Sequence, residues 1–549
     1  MLAVVLGELP PVSPRAPLLS RTPLAAWLVA LAAALLHLAP LWRAEATVAA
    51  DHEFTGCLAT SPDVMQYRVW ERRTEHTGPL TDNRFTTEPH RAYLPVVFYW
   101  GVGAIARAID RPPEFVYEWL GAPFAFVLTL LLFHCARRFL GATPASWCVF
   151  LATLLGGGLG GHLKLLAERR WLGPDLSPRL GAWLEAHPVW ESYRSHYAIK
   201  VLFDTHFLVA WVFTILALLA FHAAVRRASA RRVSVAAVLC CAITVLHPYE
   251  GPLLLLIQAA TLGLAHLRGV ATRDVRRASL ACAVATSSVL AAVAWVQLRS
   301  GLPLPGWRPP EVAAVSVLLA YPLVAGLALF GLVAYWRRAS LDEVFLLGWA
   351  AGCLAMTLSG PLYPYADRGP TTAQVPLFLV AGGIYFASRT RVPWPHALLA
   401  TLVLGATPAR ELHHRWRVAS FNEYRPAIFL SAEQRALVDA LRAASDDRSV
   451  LLAQPHDYRW LAPEFPGLSY DAHFFLTVDF ERKRVEVDGF FASDDLDAVA
   501  RFLDERAIDF VYVARDSKPE RLEQLSGWRS LASAHGGVLY ARERARGRR

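Results

Sequence analysis

The sequence predicts an α-helical polytopic membrane protein with a C-terminal α/β domain. Of its 549 residues, 54% are hydrophobic and only 18% are charged, and the mean hydropathy is +0.31. A soluble domain of this size needs a more polar surface, so most of the chain is expected to lie in lipid. Apolar runs recur between residues 24 and 404, whereas the last part of the chain alternates helical and β patterns.

Eleven apolar runs are candidate transmembrane helices, because a helix needs about 20 residues to cross roughly 30 Å of hydrocarbon. They cover residues 24–41, 122–135, 144–159, 201–225, 233–247, 252–267, 280–298, 313–336, 343–358, 372–386 and 392–404. We interpret the first run as a span rather than a cleaved signal peptide, since it is long and lacks a clear small-residue cleavage site. Residues 96–109 are short and amphipathic, and we expect them to lie in the membrane interface.

The placement of arginine predicts the orientation, since positively charged loops stay in the cytoplasm. Arg15 and Arg21 precede the first run, and the later arginine clusters all fall on the same side if each run is one span. The first external loop, residues 42–121, and the C-terminal part of the chain then face outwards. We therefore expect a multi-pass protein of the cell inner membrane.

Charge and cysteine content argue against a nucleic-acid partner, a zinc or redox motif and a disulfide framework. The net charge of +9 comes almost entirely from arginine, since lysine occurs only at Lys164, Lys200, Lys483 and Lys518. The arginines are scattered at the ends of apolar runs rather than gathered on one face, so no nucleic-acid partner is predicted. The seven cysteines show no zinc or redox spacing, and six lie in or beside apolar segments, so no disulfide framework is implied.

The composition changes near residue 411, which predicts a transmembrane domain over residues 1–410 and an extracytoplasmic α/β domain over residues 411–549. Ser431 and Gln434 form a capping-box pattern that predicts a helix start. "RSVLLA" and "IDFVYVA" predict strands, "DLDAVARFLDERA" predicts a helix, and no Gly-rich phosphate loop follows either strand. The segment "DAHFFLTVDFERKR", with His473, either faces the membrane and the reacting groups or is an ordinary core strand and turn.

The first external loop contains the ionisable residues that most suggest chemistry. Asp63 and Tyr67 lie one turn apart on a predicted short helix and share a face with Trp70. This pattern suits a helix that rests in the headgroup region. The other ionisable candidates of the loop are Asp51, His52, Glu53, Asp82, Glu88 and His90. For each of them the alternative interpretation is a solvated loop residue.

At these residues the chain resembles the GT-C superfamily of integral-membrane glycosyltransferases, in particular the branch that contains protein O-mannosyltransferases and aminoarabinose transferases. Those enzymes carry an acidic residue in the first external loop, in a pattern like Asp-x-x-x-Tyr, followed by a Gly-Asp-Trp-like turn and a Pro-rich entry with aromatic residues. The matching positions are Asp63, Tyr67, residues 77–80, Glu88, Pro89, Pro95, Tyr99 and Trp100. Val64 departs from the pattern where many relatives have a second acidic residue, and Glu88 with His90 replaces a Lys-Pro-Pro found in some.

The resemblance implies a fold of about 11 transmembrane helices and an inverting transfer of a sugar from a polyprenyl-phosphate donor to a lipid, glycan or protein acceptor. A carboxylate beside the anomeric carbon must take the proton of the acceptor, and we expect Asp63 to be this general base. A cation must stabilise the phosphate that leaves. Arg368, in a Tyr-rich predicted external loop, is the candidate for a bidentate phosphate contact, with a snorkelling anchor as the alternative.

Two further stretches are predicted to lie on the outer face. "HPYEG" places His247, Tyr249 and Glu250 between two apolar runs, and His206 follows Asp204 at the outer start of another run. We expect His206, His247, Tyr249 and Glu250, together with Tyr67, Glu88, His90 and Arg368, to bind substrate. The alternatives are a simple interhelical turn and ordinary polar residues at a helix end, where they cost little.

A divalent metal that bridges Asp63 with Glu88, His90 or His247 is possible, because carboxylate and imidazole suit such cations. No tight ligand spacing supports it, and Val64 removes a second acidic neighbour. The Gly-dense stretch of residues 154–166 lacks the ending of a P-loop. Close helix packing or an external re-entrant bend explains it better.

Two other function classes stay open. The first is a multi-span transporter or lipid flippase, although the internal repeats and midplane charges typical of transporters are missing from the sequence. The second is a non-catalytic component of a cell-envelope polysaccharide assembly, whose outer α/β domain binds a partner or a glycan. The polar residues cluster on one predicted face, which favours chemistry at the membrane surface.

Overall fold

The computed structural model describes residues 22–58, 62–156, 163, 166–186, 201–302, 328–329, 331, 333–337, 340–360, 363, 365, 368–387, 409, 411–423, 425–514, 517, 520–534 and 536–543. The predicted span at residues 392–404, most of that at 313–336 and most of the Gly-dense stretch lie outside the described residues. The chain divides into two compact units. The first comprises Met1–Ala39, Trp119–Ala292 and Arg308–Arg417, and the second comprises Pro40–Glu118, Val293–Trp307 and Val418–Arg549.

Helices dominate the chain up to residue 387. They are α1 (Leu24–Thr47), α2 (Pro62–Thr77), α3 (Val97–Ile109), α4 (Pro113–Leu140), α5 (Pro144–Leu155), α6 (Gly173–Ala186), α7 (Thr205–Arg226), α8 (Ala230–Leu246), α9 (Glu250–Leu267), α10 (Arg273–Leu298), α11 (Leu341–Leu358) and α12 (Arg368–Ala387). Among the described residues, α1, α4, α7, α9, α10 and α11 are long and apolar enough to cross a membrane. Each predicted run that falls within the described residues is helical, which confirms the polytopic helical fold class.

Small residues let two helices of the first unit approach closely. A Cβ atom added at Gly348 of α11 would lie 2.3 Å from Thr261 Oγ1 of α9, and one added at Gly352 would lie 2.6 Å from the side chain of Ile257. Glycines four residues apart share one helix face, so this face can approach the backbone of α9. Such small-residue faces are typical of helix packing in membranes.

A buried polar pair joins α7 to α11. His222 Nε2 donates a hydrogen bond of 2.7 Å to Asp342 Oδ1, and Arg226 Nη1 donates one of 3.2 Å to the other carboxylate oxygen. Both His222 and Asp342 are at most 5% exposed. Because the charged carboxylate has two cationic or polar partners, this ionisable cluster is satisfied and has a structural explanation.

The second unit contains the β-structure that the C-terminal sequence pattern predicts. Its strands are β1 (His52–Phe54), β2 (Leu80–Thr81), β3 (Leu94–Pro95), β4 (Phe429–Ser431), β5 (Val450–Leu452), β6 (Leu468–Ser469), β7 (Phe510–Ala514), β8 (Trp528–Ala534) and β9 (Gly537–Arg542). A five-stranded sheet has the order β6-β5-β7-β9-β8, in which β5 pairs in parallel with β6 and β7. The remaining pairs of this sheet are antiparallel.

Helices cover this sheet and supply its core. They are α13 (Ala432–Ala444), α14 (Tyr458–Leu461), α15 (Phe480–Ala492), α16 (Leu496–Glu505) and α17 (Glu520–Glu523). The predicted capping box is present at the start of α13, since Ser431 Oγ accepts from Gln434 N and the Gln434 side chain accepts from Ser431 N. Val487 of α15 and Leu503 of α16 pack with Val511 and Val513 of β7 in one apolar cluster.

The predicted first external loop belongs to the same unit as most of the C-terminal part of the chain. β1 pairs antiparallel with β4, with His52 opposite Ser431 and Phe54 opposite Phe429. Ser469 of β6 also donates a backbone hydrogen bond to the carbonyl of Arg84. The loop between α1 and α4 is therefore built into a folded domain, and its side chains are held by residues that lie about 400 positions later.

Candidate active site

Asp63 lies in the first turn of α2, where its carboxylate is accessible. Its side chain is 52% exposed, and its Oδ1 lies 3.8 Å from Nε2 of the fully buried His473. The structure combines parts of both interpretations of the segment around His473. The residue sits in a buried turn before α15 and at the same time faces the candidate base.

An ion-pair network anchors the helix that carries Asp63. Arg68 and Arg72, one turn apart on α2, donate to Glu114 at the start of α4 and to Glu464 in the 3₁₀ turn Ala462–Glu464. The side chains of Glu114 and Glu464 are at most 1% exposed. Since a buried carboxylate is stable only when it is paired and hydrogen-bonded, this network fixes the position of α2.

Tyr67 and Trp70 lie on the buried side of α2. Tyr67 is 6% exposed and stacks on Tyr99 of α3 at a centroid distance of 5.2 Å, with Trp70 and Tyr117 beside it. The helix was predicted to rest in the headgroup region with Trp70 on the face of Asp63 and Tyr67, but Trp70 is only 9% exposed and packs inside the unit. The aromatic partners on α3 and α4 account for the difference, because they turn this face of α2 into a core. The substrate-binding role of Tyr67 stays a prediction.

Glu88 is held by a cation from the C-terminal domain. Lys483 of α15 donates to its carboxylate, with Nζ 2.8 Å from Oε1, and Thr86 Oγ1 donates as well. Burial opposes ionisation of Glu88, but the hydrogen bonds from Lys483 and Thr86 outweigh this effect, so the pKa of Glu88 lies below its ordinary value. The carboxylate is therefore a structural anion in this arrangement, and its substrate-binding role stays a prediction.

Both ring nitrogens of His90 form hydrogen bonds with the backbone of its own loop. Nδ1 donates to the carbonyl of Glu88 at 2.7 Å, and Nε2 accepts from the backbone N–H of Asn83 at 2.9 Å. A phosphate contact or a metal bond by His90 would break one of these hydrogen bonds. Across the described residues no three His, Cys, Asp or Glu side chains are close enough together to hold a metal ion. The possible divalent metal stays a prediction, and the partners of Glu88 and His90 do not favour it.

We expect the stabilising effect of Lys483 to depend on pH. A carboxylate with a lowered pKa contributes stability above its ordinary pKa of 4.5, and this contribution is lost as the pH falls through the lowered value. The Tm of Lys483→Met should therefore lie below that of the wild type near pH 7, and the gap should shrink below pH 4.5. Thermal unfolding in detergent between pH 3 and pH 7 measures this gap.

The matched control is Arg482→Met, which removes a half-exposed cation one residue earlier. It should change Tm little at any pH, because exposed ion pairs contribute little. A gap for Lys483→Met that is independent of pH would contradict the role assigned to the ion pair with Glu88.

In the first unit, "HPYEG" forms the turn between α8 and α9 and gathers polar and aromatic side chains. His247 and Glu250 are each 2% exposed, with Nδ1 of the histidine 3.6 Å from Oε1 of the glutamate. The ring of His206, in the first turn of α7, lies 4.6 Å from that of His247. Tyr249 packs on Tyr365, with ring centroids 3.7 Å apart. The turn interpretation is thus correct, and the turn also brings these predicted substrate-binding residues together.

Arg368 is the first residue of α12, and its side chain lies outside the described atoms. Tyr363 and Tyr365, which precede it, have ring centroids 5.7 Å apart. The proposed phosphate contact of Arg368 therefore stays a prediction.

The sequence left open whether His473 faces the reacting groups, and it gave no sign of Glu464 as the partner of Arg68 and Arg72. The i,i+4 spacing of the two arginines on α2 was a usable signal that both point the same way. No local pattern identifies a partner about 400 positions away, since only the folded domain brings them together.

The sequence matches no protein-family model and no curated protein sequence. The structure matches the apo oligosaccharyltransferase of Archaeoglobus fulgidus with a TM-score of 0.53 and 11% identity, over 91% of this chain and 70% of that chain. It matches apo ArnT of Cupriavidus metallidurans with a TM-score of 0.50 and 12% identity, over 94% and 97% of the two chains.

A third match is the arabinofuranosyltransferase AftD from Mycobacteria, with a TM-score of 0.54 and 12% identity, over 96% of this chain and 40% of that chain. All three are GT-C glycosyltransferases. Identities this low establish the architecture alone. The expectation derived from the first external loop is confirmed at that level: the chain has the fold of the GT-C membrane glycosyltransferases.

Proposed function

We propose that this protein transfers a pentose or hexose from a polyprenyl-phosphate donor to a lipid, glycan or protein acceptor, with inversion at the anomeric carbon and with Asp63 as general base. The observation that carries the proposal is the accessible carboxylate of Asp63 on an anchored helix of a protein with the GT-C fold. One matched structure, that of ArnT, contains undecaprenyl phosphate, which supports a lipid-phosphate carrier as the donor.

The proposed step uses an accessible carboxylate and a stabilised leaving group. The hydroxyl or amide group of the acceptor forms the new bond to the anomeric carbon and gives its proton to Asp63, while the bond from that carbon to the phosphate oxygen breaks. Negative charge then accumulates on the polyprenyl phosphate, and a cation is needed to stabilise it. We propose Arg368 for that contact, and His206, His247, Tyr249 and Glu250 for substrate binding.

The proposed location is the extracytoplasmic face of the inner membrane. Helix ends on the opposite side carry the positive charge, as with Arg137 and Arg138 at the end of α4 and Arg226 at the end of α7. The first external loop and the C-terminal domain then meet the donor after it has crossed the bilayer.

Proteoliposomes distinguish the proposed transferase from a flippase. Purified protein is reconstituted with undecaprenyl-phosphate pentoses and hexoses, and octyl glycosides, a Ser/Thr peptide and phospholipids serve as acceptors. We expect mass spectrometry to detect a glycosylated acceptor and free undecaprenyl phosphate in equal amounts. Movement of intact donor between leaflets without its consumption would instead support transport. The control is Asp504→Asn, which removes an exposed carboxylate of the same unit and should leave turnover unchanged.

A further inference from the structure

His473 is fixed in its turn by the backbone on one side of its ring. Its Nδ1 accepts hydrogen bonds of 3.2 Å from the backbone N–H groups of Phe475 and Leu476. The backbone N–H of His473 in turn donates to Thr477 Oγ1 at 3.2 Å, and that hydroxyl donates to the carbonyl of Phe85 at 2.7 Å. The ring therefore cannot flip without the loss of two hydrogen bonds in a fully buried site.

This arrangement determines which nitrogen carries the proton. A nitrogen that accepts two N–H donors cannot itself hold a hydrogen, so the proton of the neutral imidazole lies on Nε2. Nε2 lies 3.8 Å from Asp63 Oδ1, and it has no hydrogen-bond partner among the residues that the structure describes. A buried donor without a partner is costly, and this one lies beside the proposed base.

We infer that His473 is a positioning residue that donates its Nε2–H to one carboxylate oxygen of Asp63 and so leaves the other oxygen directed at the acceptor. The inference rests on the proposed function. The side chain of Asp63 is half-exposed in the first turn of α2, so a movement of about 1 Å suffices to reach hydrogen-bond distance. The proton of the acceptor goes to the free oxygen, and His473 keeps its own proton throughout.

The geometry also gives the histidine a different role from that of a base. In a nucleophile–histidine–aspartate arrangement the ring accepts a proton through an unprotonated nitrogen. Here the unprotonated nitrogen faces the backbone and the protonated one faces the carboxylate. His473 acts only through Asp63, in the way that an outer-shell partner orients a reacting group.

Two substitutions separate the positioning role from the structural one. His473→Asn keeps an acceptor at the position of Nδ1 and removes the donor at Nε2, whereas His473→Gln keeps a donor at the position of Nε2 and removes the acceptor. In the proteoliposome assay we expect His473→Asn to lower kcat about 10- to 100-fold, with KM for the donor and acceptor nearly unchanged. His473→Gln should retain more of kcat than His473→Asn, although it disturbs the turn more.

The opposite order, with wild-type kcat in His473→Asn and a larger loss in His473→Gln, would show that the ring only supports the turn and would overturn the inference. The control is His456→Gln, since His456 is 64% exposed in the same unit and should tolerate the change.

A spectroscopic measurement keeps the inference testable without turnover. In protein labelled with ¹⁵N-histidine, the Nε2–H signal of His473 should be present in the wild type and should shift in Asp63→Asn. If the wild type transfers no sugar but the signal depends on Asp63, the proposed function fails and the positioning contact stands. A His473 signal that does not respond to Asp63→Asn would overturn the contact itself.

Discussion

Asp63→Asn should lower the rate of sugar transfer by about 10²- to 10⁴-fold, because the amide cannot take the proton of the acceptor. The substitution keeps the size of the side chain and falls on a half-exposed position, so Tm should change little. Single-turnover transfer from an undecaprenyl-phosphate sugar, measured beside thermal unfolding, tests both expectations. A variant with more than a few per cent of wild-type turnover would contradict the assignment of Asp63.

Asp51→Asn is the informative comparison, since Asp51 is another exposed aspartate of the predicted first external loop. Its carboxylate is 77% exposed, and His52 Nδ1 lies 2.9 Å from it. The hydrogen bond with His52 lowers the pKa of Asp51 below the ordinary value of an aspartate, which makes its carboxylate a poorer proton acceptor. We therefore expect Asp51→Asn to keep most of the activity. Loss of transfer in Asp51→Asn with retention in Asp63→Asn would move the base to Asp51.

Glu464→Gln should destabilise the second unit more than any surface substitution. The buried carboxylate faces the guanidinium groups of Arg68, Arg72, Arg435 and Arg442, which a neutral amide cannot balance. Breaking a buried pair from one side costs about 3–5 kcal/mol. The lower end of this range applies to Glu464→Gln, because the side chains of Arg435 and Arg442 retain access to water. For a unit of this size we expect a fall in Tm of roughly 6–12 °C.

Asp504→Asn is the matched control for this loss. Asp504 pairs with Arg542, but its side chain is 62% exposed, and exposed ion pairs contribute little to stability. Even at temperatures below its melting transition, Glu464→Gln should transfer sugar more slowly than the wild type, because Arg68 and Arg72 lie on the helix that carries Asp63. Equal Tm values for the two variants would contradict the role of Glu464 in holding that helix.

The transmembrane helices were predictable because a 20-residue apolar run leaves few alternatives to a span. The boundaries of these helices were harder to predict. The run at 122–135 is part of α4, which begins at Pro113, since Glu114 and Glu118 interrupt the apolar pattern but not the helix. In the fold these carboxylates find partners in Arg72 and in the backbone N–H of Leu58. A charged residue ends an apolar run in a sequence but does not end a helix when tertiary contacts satisfy it.

The candidate site was predictable only in its local part. The position of Asp63 near a helix start follows from its sequence, and the capping box at Ser431 identified α13. The burial of Tyr67 and Trp70 could not be predicted, because it depends on Tyr99 and Tyr117 from later helices. The segment before α15 has no strong strand or helix pattern, so the proximity of His473 to Asp63 appears only in the folded unit.

The most direct test of the account is the consumption of donor by the wild-type protein. Purified protein is incubated with a panel of undecaprenyl-phosphate pentoses and hexoses and the acceptors named above, and the lipid products are resolved by mass spectrometry. At least one donor should be converted to free undecaprenyl phosphate with matching glycosylation of an acceptor, and Asp63→Asn should abolish both. Intact donors throughout the panel, or equal conversion by wild type and Asp63→Asn, would contradict it.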